Sequence, residues 1–115
     1  MSWFSYFRRT PKDKAFSIYM EFGPKLRIDR AERLQQCFPR LDTTTIAAWI
    51  EEFQRFDALI WKVAEAGASS AYSSAEMADI FREAFPDYGS RSLSLAVGRA
   101  GYYAWHEGYS VSPNK

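Results

Sequence analysis

The chain has 115 residues, 47% of them hydrophobic and 17% aromatic, with a net charge of +1. That length fits one domain, so aromatic a composition builds a core without disulfide or metal staples, and near-neutrality excludes a global field drawing the protein to nucleic acid or anionic lipid. The balance conceals an asymmetry: residues 1–40 carry nine Lys/Arg against four Asp/Glu, and residues 41–115 carry six against ten. Cys37 is the single cysteine, which rules out an internal disulfide and fits a reducing, cytoplasmic setting. No apolar run reaches the ~18 residues of a membrane span, and the N-terminal aromatics precede the basic residues, the reverse of a signal peptide.

In chain order, Trp3, Phe4, Tyr6 and Phe7 are followed by Arg8, Arg9, Lys12 and Lys14. Residues 3–14 have the composition of a short anchor for a membrane surface or a partner groove. Against that stands an arm folded back on the core, favoured because a single helical turn covers little apolar area. Phe16, Ile18, Met20 and Phe22 then alternate with more polar residues, a period of two that predicts extended backbone. Gly23-Pro24 breaks the pattern, and Leu26 and Ile28 resume it. Residues 1–28 therefore read as a partly extended aromatic and basic arm packed on the domain.

Asp29 and Glu32 have capping-box spacing for a short helix with Leu34, Cys37 and Phe38 on its apolar face, and Pro39 ends it. The longest pattern follows over residues 42–67. Ile46, Trp49, Ile50, Phe53, Phe56, Ile60, Val63 and Ala64 recur at intervals of three and four, the signature of one helix face. Asp42 or Thr43 caps its start and Gly67 is the expected stop. Residues 67–73 read as a loop of small residues. Ser73 and Glu76 form a second capping box ahead of Met77, Ile80, Phe81, Ala84 and Phe85, and Pro86 closes that helix. Ser90 or Ser92 opens the last one, with Leu93, Ala96, Val97, Ala100, Tyr103 and Ala104 on one face and Gly108 as its stop. Residues 29–108 thus form a helical domain, and 109–115 a frayed tail.

Two stretches match at an offset of 47 positions. Phe38-Pro39 aligns with Phe85-Pro86, Leu41 with Tyr88, Thr43 with Ser90, Ile46 with Leu93, Ile50 with Val97 and Phe56 with Tyr103. Each unit is a short helix, a Phe-Pro stop, a tight turn, a hydroxyl cap and a longer helix. The expected fold is all-α, a compact four-helix domain built from two αα-hairpins with a partly extended N-terminal arm. The bulky face of the first long helix suits the small face of the last. Gly98 and Gly101, each costing about 1 kcal/mol inside a helix, are expected where another helix packs closely.

The search for chemistry returns mostly exclusions. One cysteine and one histidine cannot make a zinc site, no acidic loop resembles a calcium site, and no glycine-rich loop stands ready for a phosphate. No metal and no cofactor is expected. A Cys37–His106 pair is conceivable as a nucleophile and base, but Cys37 on an apolar face reads as a buried structural thiol, and no enzymatic activity is expected. Residues 74–107 have the outline of a helix-turn-helix. Its second helix offers only Arg91 and Arg99 as cations, and its first carries Glu76, Asp79 and Glu83, a poor surface for phosphates. Tyr102, Trp105 and Tyr109, with Trp3, Phe4 and Phe7, are the candidate partner surface. The expected function is protein–protein interaction or adaptor activity, self-association included. The alternatives are nucleic-acid binding by residues 74–107 and membrane-surface association through residues 3–14.

Overall fold

In the computed structural model, which describes residues 10–21, 29–70 and 72–106, all regular structure is helical. The helices are α1 (Pro11–Tyr19), α2 (Arg30–Cys37), α3 (Thr43–Ser70), α4 (Ser74–Ala84) and α5 (Ser90–His106). Five helices, not four, occupy the described residues, and the extra one is α1, in a stretch read as extended. Its start has the proper chemistry: Thr10 at the N-cap, Pro11 at the first helical position, and a reciprocal capping box between Thr10 and Asp13. The alternation of Phe16, Ile18 and Met20 arises because α1 is covered on more than one side. Ala15, Phe16, Tyr19 and Met20 are buried and Ile18 is packed against the core. Residues 1–9 and 22–28, with the rest of the expected strand pair, lie outside the described residues.

α3 is the 28-residue axis. Asp42 caps it by accepting the Thr45 N–H at 2.8 Å. The helix runs through Gly67 to Ser70, so Gly67 is not its stop. Alanine is the best helix former, and Ala64, Ala66 and Ala68 around the glycine carry the helix past it. Phe53, Phe56 and Ile60 on α3 are fully buried with Phe16 of α1, Leu34 of α2 and Phe81 of α4. Phe56 stacks on Phe85 at 4.4 Å and on Phe16 at 4.7 Å between ring centroids. α5 lays its small face on this core, with Ala96 and Ala100 buried. Two expectations fail here. Cys37 is exposed, because α2 turns Leu34 inward and leaves its last residue at the rim. A Cβ on Gly98 or Gly101 would meet nothing within 4 Å, so among the described residues no helix packs against either glycine.

The two Phe-Pro corners have closely similar backbones. Phe38 caps α2 at φ −130°, ψ 67°, and Phe85 caps α4 at φ −134°, ψ 76°. Each donates its N–H over 2.8 Å to the carbonyl four residues back, Leu34 or Phe81. The chain then turns through Leu41 N–H to Phe38 O at 3.1 Å, or Tyr88 N–H to Phe85 O at 3.4 Å. They part at the next helix start. The offset that pairs Phe38 with Phe85 also pairs Asp42 with Gly89. The first corner therefore caps its own helix, and the second has no side chain with which to do so.

Candidate functional site

A side chain from α1 comes to this helix start instead. The Asp13 carboxylate, 3% exposed, accepts the Gly89 N–H at 3.0 Å and the Ser92 hydroxyl at 2.5 Å on Oδ1. Its Oδ2 accepts the Thr10 N–H at 3.1 Å and the Thr10 hydroxyl at 2.8 Å. Burial pushes this carboxyl up, but the hydrogen bonds from Ser92, Gly89 and Thr10 outweigh it and hold the group below its ordinary value. Two helix N-termini converge on the charge, which completes its stabilisation. A Cβ on Gly89 would sit in ordinary contact with the carboxylate, 3.4 Å from Asp13 Oδ2. Alongside, Glu52 accepts Tyr88 Oη at 2.6 Å and Lys12 Nζ at 2.9 Å, and Lys12 lies 4.9 Å over the Tyr88 ring. Burial and the bond to Glu52 push the Tyr88 phenol far above its ordinary value.

A serine donating to a buried aspartate has the look of an activated nucleophile. The surroundings argue for structure. Ser92 is 4% exposed, the four acceptor positions of Asp13 are filled, and no buried side-chain nitrogen or oxygen among the described residues lacks a partner. Four donors hold the carboxylate in its ionised form and so make it a weak base, and the hydroxyl beside it is buried away from any substrate.

The first corner is open. Pro11, Phe38, Pro39 and Leu41 form the apolar walls of a groove of about 480 Å³. Lys14 and Arg40 stand at its rim with the exposed Cys37. Neither cation has an ion-pair partner among the described residues. The floor is held firmly: Gln35 Nε2 donates to the carbonyls of Phe38 at 3.2 Å and Leu41 at 2.7 Å, and Phe38 meets Trp49 edge-on at 5.8 Å.

The outward face of α5 carries the other candidate. Trp105 is 65% exposed and Tyr102 40%, with ring centroids 6.1 Å apart. Ser94, Gly98 and Gly101 are exposed on the same helix. Tyr103 turns inward instead, stacks on Trp61 at 3.9 Å and donates to Asp57 at 2.7 Å. Burial and that bond push its phenol up as well. Trp3, Phe4, Phe7 and Tyr109 lie outside the described residues. Arg91 is exposed. Arg99 is half-buried and donates to the Met20 carbonyl at 2.7 Å, where with Arg33 it meets the C-terminal carbonyls of α1. On α4, Glu76, Asp79 and Glu83 all face solvent, and Arg82 pairs with Asp79 at 2.6 Å.

Among the described residues no group of three or more His, Cys, Asp or Glu is placed to hold a metal, and no helix is long and apolar enough to cross a membrane. Sequence reasoning missed the groove and the Asp13 centre. The groove had a signal in the Phe-Pro stop beside Arg40; Asp13 had only its capping-box spacing from Thr10. No known protein family, curated relative or solved structure matches the chain.

Proposed function

We propose that this protein is a non-enzymatic interaction module of the cytoplasm that receives a partner helix on the outward face of α5. The observation that carries the reading is the pairing of Tyr102 and Trp105 with two glycines open to solvent. A glycine in a helix interior costs about 1 kcal/mol relative to alanine, and nothing among the described residues offsets it here. Close approach of a second backbone offsets it, and exposed aromatics beside such a gap supply the anchors that dominate protein interfaces. In this reading α2–α3 and α4–α5 are two αα-hairpins of like build, which the matching Phe38 and Phe85 caps support. The helix-turn-helix alternative is less well supported, because Arg99 is engaged at Met20 and α4 presents acids.

The test separates stability from binding. Gly98→Ala is expected to leave the fold intact and raise unfolding free energy by up to ~1 kcal/mol, since a Cβ meets open space. Tyr102→Ser combined with Trp105→Ser is expected to melt close to the parent. Affinity capture from host lysate, with and without nuclease, is then run on all three proteins. A partner protein retained by the parent and lost by both variants supports the reading. Capture unchanged by either variant overturns it, and capture abolished by nuclease moves the function to nucleic acid.

A further inference from the structure

Among the described residues, one Phe-Pro corner has its cover in place and the other has none. At the covered corner the third position, Asp87, lies 3.9 Å from Lys12 of the covering helix α1. An aromatic side chain of α1, Phe16, meets the Tyr88 ring at 5.3 Å. The cover is thus an amphipathic segment that sets an apolar side chain on the corner and a charge opposite the third residue. At the open corner the offset of 47 places Arg40 where Asp87 stands. The apolar position, Leu41, is only half-buried where its counterpart Tyr88 is buried, and Lys14 adds a second cation across the gap.

From this we infer that the groove between α1 and the Phe38–Leu41 corner is a binding site for an acidic peptide segment of another protein, one bulky apolar side chain flanked by Asp or Glu. The apolar side chain would rest on Phe38, Pro39 and Leu41, and the carboxylates would meet Lys14 and Arg40. Three features favour this occupant. The charge at the third corner position is inverted relative to the covered corner, so the complementary segment inverts too. Among the described residues the groove is bounded mostly by exposed side chains, with Phe38 and Leu41 half-buried, which suits a surface-lying segment more than an enclosed small molecule. Its backbone is held by Gln35, so little ordering accompanies binding. In sequence, residues 1–9 carry Arg8 and Arg9, charges of the same sign as the rim and so a poor electrostatic match for it. The site uses none of the α5 residues of the proposed function and stands or falls separately.

The experiment is fluorescence anisotropy with the full chain and three labelled peptides. One has a Phe-Leu core between glutamate pairs, one the same core between lysine pairs, and one glutamate pairs around Ser-Ser. The first is expected to bind saturably and the other two not, with affinity falling as salt rises. Lys14→Glu with Arg40→Glu, both exposed and outside any ion pair, is expected to weaken the first peptide by roughly tenfold or more and to gain the second. Bound peptide is also expected to slow modification of Cys37 by a soluble disulfide reagent. Absence of saturable binding, equal binding of the first two peptides, or insensitivity to the charge reversal overturns the site. So does binding to phosphatidylglycerol vesicles with none to peptide, which would assign the rim to membrane. Peptide binding that emerges only when residues 1–9 are deleted would give the groove to the chain's own arm, and also overturns it.

Discussion

The corner at Phe38–Thr43 and the corner at Phe85–Ser90 share cap dihedrals and turn hydrogen bonds, yet one carries a helix and the other a groove. The difference begins at one position. Asp42 keeps the first corner self-sufficient, and Gly89 leaves the second dependent on a carboxylate from elsewhere. The first helix start is served within its own turn, and the second is tied to α1 across most of the chain. Backbone resemblance between two units therefore says little about their roles. What each unit leaves unsatisfied decides what comes to lie on it.

The largest effect that would test this contrast is in the packing of the covered corner. Phe56 is fully buried between Phe16, Phe81, Phe85 and Tyr88. Phe56→Ala is expected to lower unfolding free energy by about 3–5 kcal/mol in urea titration. A loss below ~1 kcal/mol would show that this corner is looser than its burial implies.

Next is the cap itself. All groups facing Asp13 are donors, so Asp13→Asn turns an amide NH₂ toward N–H and O–H groups. The expected cost is about 2–3 kcal/mol. Asp42→Asn keeps an exposed local acceptor, because the carbonyl oxygen of Asn serves the Thr45 N–H equally well, and its effect should be a small fraction of that. Comparable losses at the two sites would erase the distinction between the corners. The sign with pH follows from the depressed Asp13 value. Stability from this group is present above the unfolded aspartate value of about 3.9 and is lost as pH falls toward the lower folded value. The acid limb of the stability curve should be shallower in Asp13→Asn than in the parent.

Tyr88 and Tyr103 supply a weaker but direct readout. Both phenols are held above their ordinary value by burial and by donation to Glu52 and Asp57. In alkaline absorbance titration at constant temperature, two of the seven tyrosines should resist ionisation near pH ~10 and titrate only as the fold opens. Stability from them is complete below the unfolded value and declines as pH rises. The smallest effect is at the open corner. Cys37→Ser should change stability by less than about 0.5 kcal/mol, and Cys37 should react readily with thiol reagents in the native state.

How far the sequence carried differs in the same way between the corners. α3, α4 and both Phe-Pro stops were readable because their signals are local: apolar period, cap and breaker lie within one segment. α1 was misread because its Phe16, Ile18 and Met20 spacing imitates a strand when a helix is enclosed on several sides. Cys37 was misplaced because an eight-residue helix has little periodicity from which to fix its rotation. Gly98 and Gly101 read as points of close helix packing, but among the described residues no neighbour stands within 4 Å of a Cβ at either. Asp13 at Gly89 was beyond reach, since no local pattern announces a cap supplied from 76 positions away.

That last bond also bears on how the protein is made. A ribosome releases residue 13 long before residues 89 and 92, so α1 must wait, its carboxylate hydrated, until nearly the whole domain has emerged. The closing step joins sequence-distant ends, which raises contact order above that of a simple up-and-down bundle and slows folding accordingly. A fragment ending before Gly89 would leave the Asp13 carboxylate with the Thr10 donors alone, half of its partners gone. The α4–α5 half of the internal repeat is completed by a group that lies outside the repeat, however alike the two halves look in isolation.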